Sequence, residues 1–158
     1  MGELARMING EGWLHAPRPC ELTVIPCSGY HHGSAYAMPV PPSPNLANDH
    51  AIRLYPSTCF FEGTVLSEGR GSPWPCEVYG HPDMAGAFSF TPVRNPCVSG
   101  RPTHEGKRCY GEDLRDFEPA GGWHRLHLSF LLDAYRAFPD KESFFNDYFD
   151  LLAGCLLY

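Results

Sequence analysis

Leu4, Met7 and Ile8 lie three and four positions apart in GELARMING, a spacing that places them on one helical face, and Gly10 and Gly12 then stop the helix. ELTVIP (21–26) is apolar and β-branched up to Pro26, the pattern of a strand. Beyond Pro26, prolines 39, 41, 42 and 44 stand among Ser and Gly, so residues 28–45 are predicted as a long loop or extended track. Asn48 or Asp49 caps a short predicted helix through Ala51, Ile52 and Leu54, ended by Pro56. Residues 57–74 fit no single period. EVYG (77–80), FSFTPV (88–93) and KRCYGEDL (107–114) read as short strands between turn clusters. From Gly122 the pattern changes: Leu126, Phe130, Leu131, Ala134, Tyr135 and Phe138 form one helical stripe, and Pro139 breaks it. Asp140 then caps a second amphipathic helix carrying Phe144, Phe145, Tyr148, Phe149 and Leu152, and both stripes are expected in the core. The class predicted is α+β: a small mixed or antiparallel sheet with flanking helices, long Pro/Gly-rich loops and two C-terminal amphipathic helices.

Length and composition fit one domain over residues 1–158, since 43% of the residues are hydrophobic and only 19% charged. A formal charge of −6 without clustered Lys or Arg excludes a broad nucleic-acid footprint. No apolar run approaches the roughly 20 residues that span a bilayer. Seven cysteines cannot all pair and none are spaced C-x-x-C, which disfavours a full disulfide framework and a zinc knuckle. Cys59 before Phe60 and Cys97 before Val98 read as small buried hydrophobes. His31 and His32 are adjacent and no H-E-x-x-H occurs, so neither a metal nor any other cofactor is expected. The first residues lack the basic start and apolar run of a secretory signal. Both ends, an abrupt helix at Gly2 and the apolar LLAGCLLY, read as cut.

Chemistry concentrates in YPSTCFFEGTVLSEGRGSPWPCEVYG (55–80), where Glu62, Thr64, Ser67, Glu68 and Arg70 fall within nine residues of a glycine-punctuated stretch. Two carboxylates near an arginine suit glycosidic chemistry, which commonly uses an acid and a second carboxylate about 5–10 Å apart. The arginine can instead clamp a substrate carboxylate, and a structural Glu62–Arg70 ion pair that pins the loop is equally compatible with the spacing. His31 and His32, beside Tyr30, read as surface polar residues, and Asn45 in PSPNL reads as a turn or cap residue. No G-x-S-x-G elbow is present.

GELARMINGEGWL (2–14), ELTVIP, PPSPNL (41–46), LYPSTCFFEGTVLSEGRG (54–71) and FPDKESFF (138–145) together resemble the NamZ-type exo-β-N-acetylmuramidases, a bacterial glycoside hydrolase family. The match runs in order along nearly the whole chain, and FEGT…SEGRG is its most specific element. The resemblance implies a smaller C-terminal half that follows a Rossmann-like N-terminal half carrying the essential glutamate, with a cleft between them. It implies terminal N-acetylmuramic acid of peptidoglycan fragments as substrate, and a periplasmic or secreted setting for family members. By it, Tyr55 and Glu62 are catalytic candidates and Arg70, Thr64 and Ser67 substrate-binding candidates, and Glu68, His31, His32 and Asn45 are added to the substrate-binding candidates from the residues themselves. Arg70 would hold the lactyl carboxylate, and the N-terminal half would be the partner of this chain. Ser72 and Cys76 depart from the family's threonine and phenylalanine, and the chain stops where members continue. A substrate-cleft half inactive alone, a stand-alone peptidoglycan-sugar-binding module and a truncated remnant are the three readings this leaves.

Overall fold

The computed structural model describes residues 1–98 and 100–154, and the chain divides into two units between Tyr36 and Ala37. Within the first unit, α1 (Gly2–Gly10) follows the predicted spacing but buries none of its residues. The Asn9 side chain fastens it to the returning chain, donating to the Cys20 carbonyl at 2.9 Å and accepting the Cys20 N–H at 2.8 Å. The strand expected at 21–26 does not form. Strand propensity needs a neighbouring strand to express it, and Val24 packs instead on the backbone of Gly2.

The second unit begins its regular structure at Asn48, whose side chain accepts the Ala51 N–H at 2.8 Å and caps α2 (Asp49–Thr58). Pro56 does not end this helix. Ser57 and Thr58 beyond it are buried, and the Thr58 hydroxyl lies 3.3 Å and 3.2 Å from the carbonyls of Leu54 and Cys76. That packing offsets the backbone hydrogen bond the proline cannot make. The helix then tightens into a 3₁₀ turn, Cys59–Gly63.

Three strands form at the predicted segments, β1 running one residue beyond its own: β1 (Val78–His81), β2 (Phe88–Phe90) and β3 (Cys109–Asp113). They make an antiparallel sheet in the order β1-β3-β2, with Tyr79 opposite Glu112 and Phe88 opposite Gly111. A bridge between Ser67 and Gly80 joins the segment before the sheet to its β1 edge.

Both C-terminal helices exist, and both are shorter than the periodicity predicts. α3 (Ser129–Ala137) omits residues 123–128. There the His127 N–H donates to Ser57 Oγ at 2.9 Å, and the Trp123 and His127 rings pack on Phe117. α4 is only Phe149–Ala153. Asp140 accepts N–H groups from Glu142 and Ser143, so it caps a turn rather than a helix. Residues 144–146 leave the helical pattern because their backbone pairs with 63–65: Val65 N–H donates to Phe144 O and Asn146 N–H to Gly63 O, each at 3.0 Å.

The core joins Leu54, Phe61, Leu66, Tyr79, Phe130, Leu131, Ala134, Phe138 and Phe144. Leu126, Phe145 and Tyr148, expected inside, are exposed. Cys97 is also exposed, on a turn, while Cys59 is half-buried and Cys76 and Cys109 are buried. The α+β class is therefore correct, with less helix than predicted. Ser99 and the apolar tail Leu156, Leu157 and Tyr158 lie outside the described residues. Among the described residues no helix is long and apolar enough to cross a membrane.

Candidate functional site

α2 and the 3₁₀ turn after it place Tyr55 and Glu62 side by side, and the Tyr55 hydroxyl donates to Glu62 Oε1 at 3.3 Å. Arg70 approaches the same oxygen, with Nη2 at 2.8 Å, while its Nε stands 2.9 Å from Glu68 Oε1. Both contacts are ion pairs without hydrogen-bond alignment, and Arg70 Nε is a buried nitrogen that lacks a hydrogen-bond partner among the described residues. Tyr55, Glu62, Arg70 and Glu68 thus form one continuous cluster, which the sequence predicted only as neighbours in a loop.

Backbone geometry explains how Arg70 gets there. Gly69 has φ +84°, and a Cβ on it would stand 2.7 Å from both the Trp74 carbonyl and a Val78 methyl. Only glycine fits that turn. Behind it the Cys76 N–H donates to Glu68 O at 2.8 Å and closes the 68–76 loop.

Electrostatics then sort the four groups. Burial, and after it the Glu62 charge, push Tyr55 up to about 12, so its phenol stays a hydrogen-bond donor. Burial raises Glu68 above the usual carboxylate range, against the opposing pull of its own backbone N–H and of Arg70. Burial works against the Arg70 charge, but Glu68 and Glu62 together outweigh it and hold the guanidinium above its ordinary value. The thiol of Cys76, buried and next to Glu68, is pushed up to about 12 and is inert as a nucleophile.

The Arg70 side chain is 38% exposed, whereas Glu62 is 17% and Glu68 6% exposed. Arg70 also borders a cleft of about 140 Å³ that it shares with Asn45, Ser72, Asn95 and Arg101. The cluster therefore offers a supported cation at a polar cleft, with two carboxylates behind it. That arrangement suits holding an anion.

The other candidates are placed differently. Thr64 is buried, its hydroxyl donating to Phe61 O at 2.8 Å and accepting the Leu66 N–H at 3.1 Å. Ser67 is buried too, and its backbone exchanges two hydrogen bonds with Gly80. Both serve the local fold. Asn45 is a turn residue, its N–H donating to Ser43 Oγ at 3.1 Å, and it also lines the cleft. His31 and His32 belong to the first unit. There His32 Nε2 meets Glu3 at 2.9 Å on the surface, and His31 Nδ1 accepts the Gly33 N–H.

Sequence reasoning missed Asn146, whose side-chain amide donates to the carbonyls of Glu62 and Thr64 at 3.3 and 3.1 Å. It also missed Glu77, which receives Asn48 Nδ2 at 3.0 Å and lies 3.1 Å from His50 Nδ1. Neither contact, 84 and 29 residues apart in sequence, leaves a local signal. Asn95 and Arg101 at the cleft sat in turn-rich sequence with no motif around them.

The family model for the C-terminal part of the exo-β-N-acetylmuramidase NamZ matches residues 53–156. The chain belongs to the NamZ family. Residues 1–50 match the model of the NamZ N-terminal part, so the two models meet just ahead of the cluster. The peptidoglycan β-N-acetylmuramidase NamZ of Bacillus subtilis is 30% identical over 175 aligned positions, covering 98% of this chain and 40% of that protein. The crystal structure of a DUF1343 family protein from Bacteroides fragilis superposes with a TM-score of 0.88 at 46% identity, covering 97% of this chain and 44% of that one. This NamZ-family chain thus spans about two fifths of the length of these relatives, and it is a muramidase-related protein.

Proposed function

We propose that this chain forms the substrate-holding wall of an exo-β-N-acetylmuramidase, which releases terminal N-acetylmuramic acid from peptidoglycan fragments. The observation that carries the reading is Arg70, a part-exposed guanidinium held by Glu62 and Glu68 at the mouth of a polar cleft. Muramic acid differs from N-acetylglucosamine by a lactyl carboxylate, and a guanidinium matches a carboxylate in shape and charge. Glu62 and Tyr55 stand behind it: Glu62 accepts from the Tyr55 hydroxyl and pairs with the Arg70 charge, which suits it to accept a sugar hydroxyl. Glu68 is too deeply buried to reach a leaving group and supports Arg70 instead. General acid catalysis comes from the Rossmann-like half that the family resemblance implies, so this chain alone does not cleave.

The test has two arms. A chromogenic N-acetylmuramic acid glycoside incubated with the isolated chain is expected to stay intact, and turnover abolished by Glu62→Gln would make Glu62 catalytic unaided. Joined to the family's N-terminal half, the chain is expected to prefer the muramic over the glucosamine glycoside. Arg70→Met should lower the ratio of the two kcat/KM values by about 1.5–3 kcal/mol, the scale of a charge-assisted hydrogen bond. An unchanged ratio would move the carboxylate contact away from Arg70.

A further inference from the structure

A second cavity, of about 500 Å³, opens between the sheet and α3, on residues that take no part in the Tyr55–Arg70 cluster. Its floor is apolar: Met84, Leu114 and Phe130 are each 7% exposed and Ala134 1%. Its polar groups are three, the Tyr79 hydroxyl and the carboxylates of Glu112 and Asp133. Tyr79 and Glu112 face each other across the β1–β3 pair, and Asp133 comes from α3.

Two groups of this set have no partner within the described part of the fold. Tyr79 is only 3% exposed, its ring stacked on Phe61, yet its hydroxyl makes no hydrogen bond among the described residues. The phenol oxygen is not itself a buried orphan: it opens onto the cavity that Tyr79 lines, where an occupant rather than the protein can meet it. Glu112 makes no ion pair or hydrogen bond among the described residues either, while Asp133 contacts Arg136 at 3.0 Å on the surface. Among the described residues no cation lines the cavity itself, and Arg136 reaches Asp133 from outside it. Burial, then Glu112 and Asp133, hold the Tyr79 phenol well above its ordinary value, so it remains protonated beside the two carboxylates.

We propose that this cavity binds the ammonium group of a small primary alkylamine, its head between Glu112, Asp133 and the Tyr79 oxygen and its alkyl chain on the Met84–Leu114–Phe130 floor. An ammonium supplies three donors to three acceptors, of which Tyr79 and Glu112 have no other partner among the described residues and Asp133 shares its charge with Arg136. A carboxylate ligand would be repelled by both acids. A bare divalent ion would find apolar carbon where it needs further oxygens. Burying the chain's methylenes adds roughly 0.8 kcal/mol each.

The test is an NMR titration of the 158-residue chain with n-butylammonium, monitored at the Met84 methyl and the Ala134 and Ala137 resonances. Saturable shifts are expected, with n-butanol at least about tenfold weaker and butyrate inactive. Tyr79→Phe keeps the ring on Phe61 and Glu112→Gln alters an exposed side chain, so both should fold, as melting curves would verify. Each is expected to weaken n-butylammonium by about tenfold, the value of a hydrogen bond to a charged group. Nα-acetyl-lysine methylamide tells the sources apart: binding as tight as n-butylammonium assigns the site to a lysine-type side chain of a peptide, and weaker binding to a free amine. Equal affinity for n-butanol and n-butylammonium, indifference to both substitutions, or calcium binding in place of the amine would overturn the proposal.

Discussion

Arg70 faces Glu62 and Glu68 together, and replacing it with Met leaves two carboxylates crowded without that cation. Because the arginine side chain is more than a third exposed, water softens the loss, and the expected destabilisation at pH 7 is about 1–3 kcal/mol. Acid should restore part of it. Glu68, already raised by burial, rises further without Arg70, so the folded Arg70→Met protein binds a proton more readily than its unfolded chain and gains relative stability as pH falls towards 5. Denaturant melts at pH 7 and pH 5 measure this, and a deficit that grows in acid would refute it. Gly69→Ala tests the neighbouring backbone. At φ +84° the new methyl meets the Trp74 carbonyl, and a loss of about 2–4 kcal/mol is expected in the same melts.

At the scale of elements, Asn48 caps α2 and also donates to Glu77 at the head of β1, so one amide ties helix to sheet. Asn48→Asp keeps the capping oxygen but sets a second carboxylate against Glu77, which is 7% exposed. It should melt lower than Asn48→Ser, which retains a cap and adds no charge; equal melting would mean that Glu77 does not feel the change. Asn48 was legible as a cap because capping is local. The three strands were legible for the same reason: alternation and turn residues bound each one. Residues 123–128 and 144–148 carry an equally good helical stripe, yet His127 bonds to Ser57 and Phe144 to Val65. Those contacts cross 70 and 79 residues, so no window of sequence contains the cause. The cluster divides likewise. Glu62, Arg70 and their glycines announced themselves in one loop, whereas Asn146 and the cleft residues Asn95 and Arg101 arrive from distant turns.

For the whole molecule, a pH dependence of the opposite sign comes from His81, held below its ordinary value by burial, then by His104, with Lys107 adding to this and Asp83 opposing. The unfolded chain therefore takes up a proton first as pH drops below about 6.5, and stability falls through that window. His81→Gln should flatten the fall in Tm between pH 7.5 and pH 5.5, and an unaltered slope would exonerate His81. The exposed side chains of Leu126, Leu128, Leu132, Phe145, Tyr148 and Leu151 predict self-association, and sedimentation showing a monomer at high concentration would count against it. Finally, the segment that holds Glu62 is clamped by Asn146 and Phe144. Closing a loop of about 80 residues is slow and comes late, so during synthesis the ribosome must deliver nearly the whole second unit before the Glu62 carboxylate has a fixed address. A stalled nascent chain ending near residue 140 should leave that segment open to protease, and one whose residue 146 has cleared the exit tunnel should not.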